Sequence, residues 1–272
     1  MSEPFGVRLR AAMDERGPLC VGLDPHAALL DAWGLPDTAY GLERFTMTVV
    51  ESLADRIAVI KPQSAFFERH GSAGVAVLER AISATQEYGA LVLLDVKRGD
   101  IGSTVDAYAD AYLGPSSSLA ADAITVHPYL GFGALQPFIS MALEHNRGVF
   151  VVTLSSNPEG REVQQASQGA VTVAGAILRQ IAELNGGIEP MGSIGAVVGA
   201  TTEDTDDDLN INGPLLAPGF GAQGGTVDDL RRVFGSALPN VLPATSRAVL
   251  SAGPDPATLQ DVAAEIADSL AS

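Results

Sequence analysis

Eight short apolar runs, separated by stretches with helical periodicity, are the feature that most limits what this chain can fold into. Most of the runs are apolar at consecutive positions, which is typical of strands buried on both faces. Strands that alternate with helices form parallel sheets through right-handed crossovers. The predicted strands are residues 19–24, 57–62, 91–97, 123–128, 148–156, 194–200, 213–219 and 241–246.

Eight β/α units within 272 residues predict an α/β fold, the (β/α)8 TIM barrel, with eight parallel strands and outer helices. Residues 74–88 and 171–184 are examples of the helical patterns between the runs. No linker or change of composition divides the chain, so residues 1–272 are expected to form one barrel domain. The alternative is a doubly wound open sheet, which is disfavoured because no Gly-x-Gly-x-x-Gly follows the first run.

The charge and cysteine content indicate which partners and compartments suit the chain. A formal net charge of −17 disfavours binding to nucleic acid or anionic membranes, and an anionic substrate would need basic residues placed locally. One cysteine excludes an intramolecular disulfide and indicates a reducing compartment. With no signal-peptide pattern and no apolar run of membrane-span length, a cytoplasmic protein is expected.

Polar side chains are expected to collect at one end of the barrel, where the strands end and where barrel enzymes have their active sites. A non-catalytic binding barrel would not need lysines interleaved with carboxylates, because buried charges are costly unless they are paired. The pattern therefore favours an enzyme. The residues at the predicted strand ends are Asp24, Lys61, Asp95, Lys97, His127, Ser155, Ser156 and Arg247.

The third run carries the densest group of charges. Asp95 and Lys97 are two residues apart on a strand, so both should project into the barrel while Val96 faces the helices. Lys61, on the second run, should stand beside them, and Asp100 lies just past the strand end. Such an array suits charge stabilisation, whereas lysines among the carboxylates disfavour a site for a hard cation. We therefore expect neither a metal nor a cofactor.

A glycine-rich segment, residues 217–225 (APGFGAQGG), follows the seventh run. Barrels commonly bind phosphate at this position through the backbone N–H groups of such loops. Gln223 can add an amide donor, and Arg247 after the eighth run can add a bidentate cation. The segment therefore predicts a site for a phosphate ester.

Two motifs together resemble a known family. The chain has Asp-x-Lys-x-x-Asp-Ile-Gly-x-Thr at 95–104 and Pro-Gly-x-Gly-x-Gln-Gly-Gly at 218–225, with Lys61-Pro62 upstream. With these motifs, and over nearly its whole length, the chain resembles the orotidine 5'-monophosphate decarboxylases. The length and residues 24–25, 128–131 and 156–160 resemble the longer bacterial, mycobacterial-type branch.

The resemblance implies a reaction, an assembly and a set of site residues. The reaction is metal-free decarboxylation of orotidine 5'-monophosphate to uridine 5'-monophosphate, the last step of de novo pyrimidine nucleotide synthesis, with Lys97 stabilising and protonating the C6 carbanion. The assembly is a homodimer whose active sites are shared across the interface. The implied catalytic residues are Lys61, Asp95, Lys97 and Asp100, the last in the partner's site. The implied substrate-binding residues are Asp24 for ribose, Ile101 and Thr104 across the interface, Ser156 for the pyrimidine, and Pro218, Gln223 and Arg247 at the phosphate end.

Two other functions fit parts of the pattern. The Mg²⁺-dependent hexulose-phosphate synthase and keto-gulonate-phosphate decarboxylase group shares the Asp-x-Lys-x-x-Asp element. A non-catalytic nucleotide-binding barrel could keep the pocket without the reaction. Lys61 and the Gln-Gly-Gly loop favour the metal-free decarboxylase, and both lysines disfavour a barrel that has lost its activity.

Overall fold

A computed structural model of the chain describes residues 3–202, 205–221 and 224–271. Strands and helices alternate along most of it, as the apolar runs predicted. The strands are β1 (Cys20–Leu23), β2 (Val59–Pro62), β3 (Leu91–Arg98), β4 (Ala123–Val126), β5 (Gly148–Leu154), β6 (Ser167–Gln168), β7 (Val171–Thr172), β8 (Ile194–Val198), β9 (Leu215–Pro218) and β10 (Val241–Thr245).

Within these ranges, eight strands close into a parallel barrel in the order β1-β10-β9-β8-β5-β4-β3-β2. All eight coincide with the predicted runs, most of them one to three residues shorter than predicted. The polar residues predicted at strand ends therefore lie within three residues of the last residue of their strands, at one rim of the barrel. The TIM-barrel prediction is confirmed, and the open doubly wound sheet is wrong.

Helices surround the barrel, and threonines begin three of them. Thr38, Thr172 and Thr226 each accept a hydrogen bond from a backbone N–H in the first turn of the following helix, which satisfies a donor that has no partner inside the helix. The helices are α1 (Phe5–Arg16), α2 (Ala27–Ala32), α3 (Ala39–Leu53), α4 (Ser64–Glu68), α5 (Gly71–Glu87), α6 (Gly102–Leu113), α7 (Gln136–Glu144), α8 (Arg161–Gln164), α9 (Val173–Asn185), α10 (Val227–Phe234), α11 (Arg247–Leu250) and α12 (Pro256–Ala271), with 3-10 turns at Phe132–Leu135, Pro158–Gly160 and Gly235–Asn240.

The first helix, α1, closes the end of the barrel at which the strands begin. Phe5, Leu9 and Met13 of α1 are buried in one apolar cluster with side chains from the strands. The ring of Phe5 meets the ring of Phe150 edge-on at 6.0 Å between centroids. Position 148 must be glycine here, because a Cβ would lie 2.3 Å from the Phe5 ring. With its amino end closed in this way, the barrel can hold a ligand only at the opposite rim.

A two-stranded antiparallel hairpin, β6 and β7, was not expected from the sequence. Each of its strands has two residues, too few for a period-two pattern to show. Residues 171–172, expected at the start of a helix, form the second strand instead, and α9 begins after them. None of the helices in the described ranges has the length and apolar character needed to cross a bilayer.

Candidate active site

A cavity of about 520 Å³ opens at the carboxyl rim of the barrel. The ends of β1, β2, β3, β9 and β10 form its wall, so residues far apart in the sequence meet there. Volumes of this size are typical of pockets for small molecules. The predicted site residues that line the cavity are Asp24, Lys61, Asp95, Lys97, Pro218 and Arg247.

Asp95 is the centre of the charged group. One carboxylate oxygen, Oδ2, lies 3.0 Å from Lys61 Nζ, and the other, Oδ1, lies 2.6 Å from Lys97 Nζ. Asp95 and Lys61 are buried, with 5% and 7% of their surface exposed, whereas half of the Lys97 side chain is open to the cavity. The Lys97 ammonium group is therefore the one that a bound molecule can reach.

Each buried charge holds its neighbour in the ionised form. Burial alone would lower the pKa of Lys61, but the charges of Asp95 and Asp24 outweigh it and keep that pKa above its usual value. Burial would likewise raise the pKa of Asp95, but Lys61 and Lys97, with a hydrogen bond from Thr125, keep it well below the usual range. Lys61 and Asp95 are therefore both charged at neutral pH, as a site that stabilises a developing charge requires.

Thr125 of β4 belongs to this group, although the sequence did not single it out. Its hydroxyl donates to Asp95 Oδ1 at 2.7 Å and accepts the backbone N–H of Lys97 at 3.0 Å. A stronger signal for the site was also available in the sequence, because Lys61 and Lys97 are the chain's two lysines. A basic residue type that occurs twice, both times at adjacent strand ends, indicates chemistry at those positions.

Three predicted residues, Asp100, Ile101 and Thr104, do not line the cavity of their own chain. They lie at the start of α6 and before it, where Asp100 Oδ1 accepts the Ile101 N–H at 2.9 Å. Ile101 is 62% exposed, and Tyr129 of the neighbouring β4 loop is 75% exposed. The expected fourth member of the charged array, Asp100, is therefore not among the residues that line the cavity of its own chain.

The phosphate end of the predicted site is built by the ends of β9 and β10. Gly219 and Gly221 adopt φ angles of 98° and 75°, which glycine tolerates and other residues rarely do. Arg247 begins α11, and within the described ranges no carboxylate pairs with its guanidinium group, which lines the cavity. Gln223 lies outside the described residues.

Ser156 does not reach the main cavity. It lies past β5 in a separate groove of about 150 Å³, together with Ser155 and Gln164. Gln164 fixes the start of that loop, since its amide oxygen accepts the Ser155 N–H at 2.9 Å and its amide nitrogen donates to the Ser155 hydroxyl at 2.8 Å. A contact between Ser156 and a ligand's base remains a prediction.

Two further residues that the sequence analysis noted also lie away from the cavity wall. His127 packs on the turn after β3, where a Cβ on Gly99 would lie 2.7 Å from its ring. Cys20 is fully buried in the barrel interior, and burial, only partly offset by Lys61, raises the pKa of its thiol to about 12. Such a thiol is unreactive at neutral pH.

Other residues of the cavity wall were not predicted. His26 lies just past β1 and Phe66 lies in the first turn of α4, and their ring centroids are 4.2 Å apart. Three buried atoms near the wall have no hydrogen-bond partner in the described part of the chain: Asp24 Oδ1, Thr245 Oγ1 and Ser246 Oγ. Buried polar atoms are normally paired, so these atoms suit a ligand with hydroxyl or phosphate groups. No cluster of three or more metal-binding side chains occurs in the ranges 3–202, 205–221 and 224–271.

Comparison with known proteins gives one consistent result. The model of the orotidine 5'-phosphate decarboxylase / HUMPS family matches residues 17–262. The orotidine 5'-phosphate decarboxylase of Salinispora arenicola is 63% identical over 263 residues, 96% of this chain and 95% of that protein. That of Streptomyces coelicolor is 60% identical with the same coverage. A crystal structure from Streptomyces avermitilis superposes with a TM-score of 0.97 at 56% identity, covering 99% of this chain and 95% of the other.

Proposed function

The chain belongs to the orotidine 5'-phosphate decarboxylase / HUMPS family, and we propose a mechanism in which Lys97 provides both the charge and the proton for its reaction. The enzyme decarboxylates orotidine 5'-monophosphate to uridine 5'-monophosphate and CO2, in pyrimidine nucleotide synthesis. The family model also includes sugar-phosphate enzymes, but curated relatives at 46–63% identity over nearly the whole chain are orotidine 5'-phosphate decarboxylases. The Mg²⁺-dependent enzymes and the non-catalytic barrel are therefore disfavoured.

The reaction breaks the bond between C6 of the pyrimidine and its carboxylate. The electron pair stays on C6 while CO2 leaves, and no cofactor delocalises it. An ammonium group held beside C6 stabilises that charge more strongly in a water-poor cavity than in water. Lys97 Nζ then donates a proton to C6, which gives the product and leaves a neutral lysine that regains a proton from solvent.

The observation that supports this mechanism most is that Asp95 forms ion pairs with both lysines. The N···O distance is 3.0 Å to Lys61 and 2.6 Å to Lys97. Asp95 holds the Lys97 side chain in place, and Lys61 keeps Asp95 ionised. Because the donor is aligned before substrate arrives, little reorganisation is needed during the reaction. We propose Lys61, Asp95 and Lys97 as the catalytic residues contributed by one chain.

The remaining groups of the substrate match the rest of the cavity. The unpaired carboxylate oxygen of Asp24 suits a ribose hydroxyl, and Arg247 with the Pro218 turn suits the phosphate. Gln223 is proposed as a second phosphate ligand, and Ser156 as a contact to the pyrimidine when its loop closes over the site. Binding of these non-reacting parts holds C6 against Lys97 and contributes to transition-state stabilisation.

We propose that the active enzyme is a homodimer with shared sites. The segment after β3 that carries Asp100, Ile101 and Thr104 does not line the cavity of its own chain, so these residues are available to a neighbouring one. The exposed apolar side chains of Ile101, Tyr129 and Leu130 support an interface there, since exposed apolar groups that lie close together favour protein contacts. Asp100 would complete the charged array of the partner's site.

We propose further that residues 1–272 form one domain and that the enzyme acts in the cytoplasm. Its single cysteine is buried and free, as expected in a reducing compartment. The net charge of −17 supports a small nucleotide as the partner and disfavours nucleic acid and membranes.

The first test is whether activity survives a chelator. Purified enzyme mixed with orotidine 5'-monophosphate and EDTA should remove the orotate absorbance at the same rate as without EDTA, because ammonium groups provide the stabilising charge. Enzyme pre-dialysed against EDTA serves as the control for slowly released metal. A loss of activity that Mg²⁺ restores would move the assignment to the enediolate-forming enzymes of the family.

Arg247→Ala should weaken the interaction between the enzyme and the phosphate group of its substrate. Removal of a hydrogen-bonded charge from the phosphate site costs about 1.5–3 kcal/mol, so kcat/KM should fall roughly 10- to 150-fold. The deficit should disappear with orotidine, the substrate without phosphate, on which both enzymes are equally slow. Arg231→Ala, which removes an exposed pair with Asp228 on α10, is the matched control and should behave as wild type. An equal deficit on both substrates would contradict the phosphate role.

A further inference from the structure

The end of β3 is irregular at the point where it carries Lys97. Its register with β4 shifts between Leu94 and Arg98, so that extra residues of β3 bulge out of the pairing. Lys97 has a φ of 43°, in the left-handed region that residues with a side chain rarely adopt. Such a conformation persists only when the surroundings hold it, so something must hold the backbone at Lys97.

The peptide unit between Val96 and Lys97 is held at both ends. Its N–H, on Lys97, donates to the hydroxyl of Thr125 at 3.0 Å. Its C=O, on Val96, accepts from Arg98 Nη1 at 3.1 Å. The plane of this peptide determines φ of Lys97 and therefore the direction in which the lysine side chain leaves the backbone. Thr125 acts from inside the barrel, and Arg98 acts from outside.

The guanidinium group of Arg98 is itself anchored by two helices. Its Nη2 lies 2.5 Å from Glu68 Oε1 at the end of α4 and donates to the hydroxyl of Tyr112 on α6 at 3.2 Å. Its Cζ lies 5.6 Å from the ring centre of Tyr108 and 5.7 Å from that of Tyr112, within the range of cation–π attraction. Ion pair, hydrogen bonds and rings together leave the group little freedom to move.

We propose that Arg98 is a positioning residue for the decarboxylation: by holding the Val96 carbonyl it keeps Lys97 directed at Asp95 and at the reacting carbon. Arg98 does not line the cavity and touches no reacting atom. This inference rests on the role proposed for Lys97. It also gives the stacked pair of Tyr108 and Tyr112 a function, since they form the surface against which the guanidinium lies.

The test is a kinetic comparison of Arg98→Ala with wild type on orotidine 5'-monophosphate. A catalytic group displaced by about an ångström can lose up to 10²-fold in rate, so kcat should fall roughly 10- to 100-fold. KM should stay within about threefold, because the groups that bind ribose and phosphate are untouched. Arg98→Lys keeps the charge but not the planar guanidinium group, so its kcat should lie between those of wild type and Arg98→Ala. The Arg98 side chain is 26% exposed, so guanidinium ion at millimolar concentration should restore part of the kcat of Arg98→Ala.

A spectroscopic readout separates positioning from general loosening of the fold. Because the chain has two lysines, protein labelled with ¹³C-lysine gives two side-chain ε-CH2 signals in NMR, and Lys97→Ala identifies which belongs to Lys97. In Arg98→Ala the Lys97 signal should shift and broaden while the Lys61 signal stays in place. Arg80→Ala, which breaks an exposed pair with Glu43 between α5 and α3, should change neither signal nor kcat.

The outcomes distinguish this inference from the proposed function. An inactive wild type would refute the function, and a fully active Lys97→Ala would refute the lysine's role. If wild type is active and Lys97→Ala is inactive, a wild-type kcat or an unmoved Lys97 signal in Arg98→Ala overturns the Arg98 inference. Should Arg98→Ala fail to fold, Glu68→Gln, which loosens the anchor but keeps the guanidinium, decides instead. It must lower kcat by about threefold with KM unchanged, and an unaltered kcat overturns the inference.

Discussion

Lys97→Ala is expected to reduce turnover at least about 10⁴-fold while the barrel remains folded. The variant loses a preorganised charge, which contributes roughly 10²–10³ in rate, and a general acid, which contributes roughly 10²–10⁴. Stability should change little, because a pair with a half-exposed lysine contributes only about 0–1 kcal/mol. Asp95 also keeps its bonds to Lys61 and Thr125 in the variant.

Steady-state loss of orotate absorbance measures this effect, and thermal unfolding with circular dichroism serves as the control for folding. Uridine 5'-monophosphate should still bind, since Asp24 and Arg247 are untouched. A variant that is folded, binds the product and turns over within about tenfold of wild type would contradict the role of Lys97 as acid and charge.

Mixing two inactive variants should restore activity if the sites are shared between subunits. Lys97→Ala and Asp100→Ala each lack one group in both sites of a homodimer. In a mixed dimer, one site lacks both groups and the other keeps both. Random reassortment makes about half of the dimers mixed, each with one intact site of two, so roughly a quarter of wild-type activity should return.

The matched control for this experiment is a mixture of Lys97→Ala with Lys61→Ala. Lys61 and Lys97 line the same cavity of one chain, so every site of a mixed dimer lacks one of them and activity should stay absent. Subunit exchange is verified by capturing differently tagged chains together. If exchange is complete and the first mixture stays inactive, Asp100 serves its own chain and the shared-site proposal is wrong.

The barrel was predictable because its determinants are local. Consecutive apolar residues in runs such as those of β4 and β8 indicate strands covered on both faces, and eight such runs with helices between them leave a closed parallel barrel as the simplest arrangement. The hairpin of β6 and β7 was not predictable. Strands of two residues carry no periodicity, and their pairing depends on where α9 and the barrel place them.

Part of the site was predictable for the same reason. Residues that end parallel strands meet at one rim of a barrel, so Asp24, Lys61, Asp95 and Arg247 could be grouped from their positions along the chain. The separation of Ser156 from that group was not predictable. How far a loop extends from its strand depends on contacts such as those of Gln164, which the sequence pattern does not reveal.

The sequence by itself determined the fold class, the rim on which the charges gather and the choice of Lys61 and Lys97 as site residues. All three depend on residue types and their spacing along the chain. Only the tertiary structure decided how Lys97 is held. Thr125 reaches it from the neighbouring strand, and Arg98 holds the preceding peptide from the outer side. Both contacts depend on a shift of register between β3 and β4, and register is decided by packing between strands and helices rather than by either strand alone.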